Sequence, residues 1–280
     1  MGQYQDWLKN YIRTNERFIQ PVSRRNEVLG FLDKPLGDLC ISRPVERLPW
    51  GIPLPFDKKY VTYVWFDALI NYISIHGSLN EIRKSGFWPA NHHLLGKDIL
   101  TTHAVYWSTM LKAIELDPAL NLFAHGWWTV NGQKMSKSIG NVVEPNRLID
   151  QFGVDAIRYF LMREVPFGMD GDFSHKALIG RINSDLANNL GNLLNRTINM
   201  MKRYYDCIIP EPTDPNEDAD LKNEFQEGIG TVHSLYNSLA YNKILERIWH
   251  LIDVTNKYID HQAPWALVKS EDGKKRLATV

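Results

Sequence analysis

Hydrophobic positions near the start of the chain recur at helical spacing. Trp7, Leu8, Tyr11 and Ile12 share one face, and Pro21 closes the segment. Ser23 is placed to cap a second short helix carrying Val28, Leu29 and Leu32. The pattern then breaks. The prolines of Ile41-Ser-Arg-Pro-Val45 and Trp50-Gly-Ile-Pro-Leu-Pro55 exclude helix and predict extended edge strands. Tyr60-Val-Thr-Tyr-Val-Trp-Phe66 is a β-rich run, followed by a helical pattern from Asp67 to Ile75. His93-Leu94-Leu95 predicts a short strand ending at Gly96, and Ile99 to Ile114 a helix. Asn121 to Ala124 predicts another strand, leading into His125-Gly126. Strands alternating with helices predict a parallel, doubly wound sheet, with ligands bound at the carboxyl ends of the strands.

Beyond Ser138 the periodicity is almost entirely helical. Pro145 to Phe152 and Val154 to Arg163 read as short helices, and Phe167 to Phe173 as a Gly- and Asp-rich turn region. A long helix is expected from Ala177 to Tyr205 and a loop from Pro210 to Asp218. Two more helices run from Leu221 to Ala240 and from Asn242 to Ile259. The last residues, Glu271 to Arg276, read as frayed. The fold class is therefore α/β followed by all-α.

Composition narrows the possibilities. The 280 residues are 44% hydrophobic and 23% charged, enough for two modest domains with substantial cores. No apolar run approaches the roughly 18 residues a membrane span needs, so no membrane partner is expected. Cys40 and Cys207 are the two cysteines, which excludes a disulfide framework and a cysteine-type zinc knuckle within the chain. The adjacent pair His92-His93 lacks metal-ligand spacing, so no protein-bound metal is expected. A reducing cytoplasm is the expected location. Net charge is zero, and from Lys176 onward 13 basic residues face 14 acidic ones. Any nucleic acid must then be held by a few well-placed contacts rather than by bulk charge.

The sharpest motif is Lys134-Met135-Ser136-Lys137-Ser138, flanked by Asn131-Gly132 and Gly140-Asn141. Two lysines three residues apart, on a loop that Gly132 and Gly140 make mobile, can close over a polyphosphate. There they stabilise charge developing on phosphate oxygens, and the serines add hydroxyl donors. A solvated basic loop is the plain alternative. Ile99, His103 and Trp107 stand at i, i+4 and i+8, one stripe of a helix. Asn188, Asn192 and Arg196 repeat at the same spacing. At 100° per residue, Ile182, Leu186, Leu190 and Leu193 gather on the opposite side of that helix.

Lys-Met-Ser-Lys-Ser is the signature loop of class I aminoacyl-tRNA synthetases. Tyr63-Val-Trp-Phe-Asp-Ala-Leu-Ile-Asn-Tyr72, Leu95-Gly-Lys-Asp-Ile99 and Ile41-Ser-Arg43 resemble the methionyl-tRNA synthetase family of the bacterial type, over essentially the whole chain. Leu69 departs from the proline common there. The resemblance implies the second half of a nucleotide-binding fold over residues 1–130 and the signature loop with connecting helices over 131–175. It implies an anticodon-binding helix bundle over 176–280.

Trp65, Ala68 and Tyr72, with Ile99, His103 and Trp107, match the methionine pocket; plain core packing is the alternative reading. Asp98 matches the ATP side, or is a helix cap. Arg43 contacts nucleotide or a flexible loop, or makes an ordinary salt bridge. Asn188, Asn192 and Arg196 match residues that read anticodon bases, and Trp265 of Ala263-Pro-Trp265 matches one on which a base stacks. The implied ligands are ATP with its Mg²⁺, L-methionine and tRNA(Met). The implied reaction is methionine–tRNA ligation; a non-catalytic tRNA-binding module derived from such an enzyme is the alternative. Class I enzymes also need a His-x-Gly-His signature, and no such tetrapeptide occurs. The missing N-terminal half of the same enzyme is expected to supply it, and the chain alone to be inactive.

Overall fold

Helices with one apolar stripe bracket a small parallel sheet in the first part of the chain. The structure, a computed structural model, describes residues 1–213 and 218–280. The loop expected over 210–218 therefore falls partly outside the described residues. The chain divides into two compact units, Met1–Trp127 and Trp128–Val280.

In the first unit, α1 (Gln5–Thr14) buries Leu8 and Ile12 at i and i+4, as the periodicity predicts. A short strand, β1 (Ile19–Gln20), leads into α2 (Val22–Phe31). The cap of α2 is Pro21, not Ser23: its φ of −66° suits the entry to a helix, and the helix starts before Ser23 is reached. The proline-rich stretch is extended only in part: β2 (Ser42–Pro44) pairs antiparallel with β3 (Tyr60–Thr62), whereas the chain turns at Val45–Arg47 and again at Pro49–Trp50, and Pro53 makes a single bridge to Val61.

The β-rich run is shorter than its composition suggests. Tyr63 is an extended cap, and α3 (Val64–Ser74) already includes Val64, Trp65 and Phe66. Short apolar runs fit strand and helix alike; here helix wins because it buries Leu69 and Ile73 together against Trp107 and Leu111. Full burial of such a side chain contributes about 1.5–3 kcal/mol. The unpredicted α4 (Leu79–Lys84) follows. Its start is a capping box in which Ser78 and Glu81 satisfy each other's backbone N–H groups.

Strands β4 (His93–Gly96) and β5 (Leu122–His125) complete a parallel sheet of order β1-β5-β4. Between them, residues 97–113 form one helical run. It comprises a 3-10 turn (Lys97–Ile99), a π-helix (Thr102–Trp107) and α5 (Ser108–Ala113). Leu8, Ile12, Phe18, Ile19, Leu95, Leu100, Ala104 and Leu122 pack as the core behind the sheet.

In the second unit, β6 (Trp128–Val130) lies between antiparallel β7 (Gln133–Lys134) and parallel β8 (Gly171–Phe173). β8 falls in the stretch expected to be turn. Three residues beside glycines show too little alternation to read, yet Gly171 and Phe173 are buried. Helices α6 (Pro145–Phe152) and α7 (Val154–Glu164) pack Leu148, Ile157 and Phe160 around Phe173 and Leu178.

The expected long helix is continuous but not uniform. It comprises α8 (His175–Arg181), a π-helix (Ile182–Gly191) and α9 (Asn192–Tyr205). Then come α10 (Ala219–Asn237), α11 (Tyr241–Gln262), α12 (Pro264–Leu267) and α13 (Glu271–Leu277). The end expected to fray is helical. Ser270 caps α13, and Arg276 donates to both oxygens of Asp218 at 2.8 and 2.6 Å.

Candidate active site and nucleic-acid interface

Six residues expected in an amino-acid pocket lie on two helical segments of the first unit. Trp65, Ala68 and Tyr72 are on α3; Ile99, His103 and Trp107 are on the run 97–113. Tyr72 joins the two. Its hydroxyl lies 3.0 Å from His103 Nε2, and its ring centroid is 5.7 Å from that of His103 and 5.9 Å from that of Trp107. Trp65 packs against the cluster that holds Trp107, and Ala68 lies exposed one turn before Tyr72.

The protons can be placed. His103 Nδ1 is 2.9 Å from the Ile99 carbonyl, which can only accept, so Nδ1 carries the hydrogen. Nε2 of the neutral ring is then the acceptor for the Tyr72 hydroxyl. Burial holds the His103 pKa below the usual histidine range, which favours this neutral tautomer. Burial also raises the Tyr72 pKa, keeping its proton in place.

The stripe Ile99–His103–Trp107 does not stay in one line. It crosses a 3-10 turn and a π-helix, so Ile99 packs with the sheet core and Trp107 with α3. His103 bridges them. A π-helix is uncommon and often marks a functional site.

Sequence reasoning missed two rings here. His93 opens β4, is 6% exposed, and its ring lies 4.2 Å from that of Tyr72 and 6.2 Å from that of His103. Burial, and then the neighbouring His103, lower its pKa to about 4. Trp88 is 6.1 Å from both His93 and Trp107. The available signal was the place of His93 on the strand that feeds the 97–113 helix; a search for metal spacing looks past it.

Asp98 is not a cap: Gly96 holds that position, and Asp98 Oδ1 accepts from Trp127 Nε1 at 3.3 Å. Lys97 sits over the Trp127 ring, 4.4 Å from its centroid. Arg43 forms no ion pair among the described residues. It donates to the Cys40 and Ser42 carbonyls at 3.1 and 2.7 Å, and its guanidinium lies 4.0 Å from the Tyr63 ring centroid.

In the second unit, the lysine loop leaves β7 at Lys134 and folds on itself. Asn141 accepts from the Ser136 N–H at 2.8 Å and donates to the Lys134 carbonyl at 3.2 Å. The Ser136 and Ser138 hydroxyls lie 2.7 Å apart, and the Gly140 N–H donates to the Ser136 carbonyl at 3.0 Å. Lys134 and Lys137 are exposed, and Met135 is half-buried. Gly132 occupies a two-residue turn between β6 and β7.

Asn188 and Asn192 are exposed, but the straight stripe with Arg196 assumes an α-helix that the π segment interrupts. The same widening leaves Leu190 39% exposed, against the face expected for it. Arg196 is ion-paired with Asp260 on α11. The neighbouring Asn189 also links to α11: it donates to Asp253 at 2.7 Å and accepts from Asn256 at 2.9 Å. Trp265, on α12 behind Pro264, is 46% exposed. Among the described residues no cluster of His, Cys, Asp or Glu could hold a metal ion, and no helix is long and apolar enough to cross a membrane.

A parallel sheet and an aromatic cluster in one unit, and a paired-lysine loop ahead of helices in the other, are features of a class I tRNA synthetase. The chain belongs to that family: the model for tRNA synthetases class I (M) matches residues 1–198. Its relatives are methionine–tRNA ligases. That of Caldanaerobacter subterraneus subsp. tengcongensis is 48% identical over 283 residues, and that of Clostridium tetani 50% over 285. Each match covers 100% of this chain and 44% of the relative, so the chain spans less than half their length. Mycobacterium tuberculosis methionyl-tRNA synthetase bound by methionyl-adenylate superposes with a TM-score of 0.92 at 40% identity. That match covers 99% of this chain and 55% of the other.

Proposed function

We infer that the chain is the methionine-binding, phosphate-handling and tRNA-reading part of a methionine–tRNA ligase. The observation that carries this reading is the Tyr72–His103 hydrogen bond within a cluster of tryptophan rings. A thioether is apolar, unbranched and polarisable, and it packs well against aromatic edges. Tyr72, Trp65 and Trp107 supply those edges; Ala68 lies one turn before Tyr72 on α3, and Ile99 one turn before His103. The neutral His103–Tyr72 pair adds polarity without a charge that would exclude the side chain.

In the reaction so inferred, the methionine carboxylate attacks the α-phosphate of ATP, giving methionyl-adenylate and diphosphate. A terminal ribose hydroxyl of tRNA(Met) then takes the methionyl group, and AMP leaves. Lys134 and Lys137 stabilise charge on the departing phosphates. Met135, Ser136 and Ser138 shape that loop, and Asp98 and Arg43 contribute on the nucleotide side. Mg²⁺ would enter with ATP as part of the substrate and would neutralise charge on its phosphates. Asn188, Asn192 and Arg196 read anticodon bases, and Trp265 stacks on one.

The test is methionine-dependent exchange of ATP with diphosphate, run on this chain alone and on the complete enzyme that supplies the His-x-Gly-His signature. Exchange by the complete enzyme, stimulated by methionine over leucine and isoleucine, and silence of the chain alone are expected. Absence of stimulation in either form, with tRNA binding retained, would instead establish a non-catalytic tRNA-binding module.

A further inference from the structure

The lysine loop does not hang from its own strand alone. The Asn131-Gly132 turn joins β6 to β7 and delivers the chain directly to Lys134. Both turn residues have positive φ, 53° and 72°, as a two-residue hairpin turn requires. Successive N–H groups in such a turn form a concavity that binds an anion. Here the anion belongs to the chain itself. Asp172, on β8, accepts through Oδ1 from the Gly132 N–H at 2.8 Å and from the Thr129 hydroxyl at 2.6 Å. The Asn131 N–H adds to the set, and together these donors hold the Asp172 carboxyl below the ordinary carboxylate range.

The register explains why this residue can do so. Thr129 on β6 is the cross-strand partner of Lys134 on one side and of Asp172 on the other. β8 is itself fixed. Phe173 is buried in the core, and a side chain at Gly171 would come within 3.1 Å of the Trp128 ring and 2.5 Å of Val165. Asp172 is thus an exposed, charged acceptor on a rigid strand, 40 residues from the turn it grips. Bonds to an ionised acceptor are the stronger kind.

We propose that Asp172 is a positioning residue for the lysine loop. It locks the Asn131-Gly132 turn so that Lys134 leaves the sheet in one direction, ready to meet phosphate. The proposal rests on the phosphate role given to Lys134 and Lys137 above. A group that acts on transition-state charge loses its effect when displaced, and about 1 Å can cost on the order of a hundredfold in rate.

The experiment compares Asp172→Ala and Asp172→Asn in the complete enzyme and in the 280-residue chain. In the complete enzyme, Asp172→Ala lowers kcat for ATP–diphosphate exchange by about ten- to a hundredfold, while KM for methionine is unchanged. Asp172→Asn, which keeps an acceptor oxygen, recovers part of the loss. In the 280-residue chain, the Gly132 amide exchanges its hydrogen faster in Asp172→Ala while circular dichroism is unaltered. An active wild type whose kcat survives Asp172→Ala overturns this inference alone, and so does unchanged protection of the Gly132 amide. A wild type without methionine-dependent exchange overturns the reading beneath it.

Discussion

The hydroxyl of Tyr72 on α3 donates to His103 Nε2 across 3.0 Å, and the Ile99 carbonyl fixes the tautomer that can accept it. One proton thus links the two helical segments that form the proposed pocket. In Tyr72→Phe the ring remains but His103 loses its donor, at a cost of about 1–3 kcal/mol for an unpaired buried acceptor. KM for methionine in ATP–diphosphate exchange should rise by about tenfold, the equivalent of roughly 1.4 kcal/mol, with KM for ATP unchanged. An equal rise in both would show that Tyr72 supports the fold rather than the pocket.

His93 gives this unit a defined acid sensitivity. Its pKa is lowered from 6.5 to about 4, chiefly by burial. Between those values the unfolded chain binds more protons than the fold, so stability rises with pH. The stability associated with neutral His93 is complete above pH 6.5 and is lost as pH falls toward 4. His93→Gln removes this titration. Urea denaturation at pH 7 and pH 4 should show a smaller pH effect in the variant, by on the order of 3 kcal/mol. Equal pH effects would mean that His93 titrates normally.

Lys134→Ala and Lys137→Ala should each slow methionyl-adenylate formation about a hundredfold, the scale of removing one transition-state donor. Methionine affinity should be unaltered, because the pocket side chains lie on α3 and on residues 97–113. Single-turnover adenylate formation and equilibrium methionine binding measure the two effects separately. Weakened methionine binding at an unchanged activation rate would refute the assignment.

Trp265 and Arg196 should fail in different ways. Trp265→Ala should cost about 1–3 kcal/mol of tRNA binding, the scale of base stacking, and Trp265→Phe should recover part of it. Arg196→Ala should relax anticodon discrimination, since contacts to base edges carry sequence information. Its ion-pair partner Asp260 is largely exposed, so the pair itself adds about 0–1 kcal/mol of stability at most. Binding of tRNAs with methionine and altered anticodons, at fixed salt, distinguishes the cases. Unchanged cognate affinity in a folded Trp265→Ala would make the ring a packing residue.

By itself the sequence determined the class of fold, the parallel strands and the lysine loop, because these rest on local pattern. Leu8 and Ile12 mark a helix face, Gly96 ends a strand, and Lys134-Met-Ser-Lys-Ser138 is contiguous. It also named both halves of the proposed pocket, since Tyr72 and His103 each sit in a recognisable local segment. What tertiary structure decided is whatever depends on distant partners. Val64–Phe66 are helical because α3 has Trp107 and Leu111 to pack against. His93 joins the ring cluster because β4 pairs with β5 and brings its ring against Tyr72. The π-helices at Thr102–Trp107 and Ile182–Gly191 bend stripes that a uniform 100° rotation would keep straight. β8 exists because β6 offers it an edge, and from there Asp172 grips the Asn131-Gly132 turn. Periodicity encodes which face of a segment is apolar; which distant segment covers that face is settled by packing.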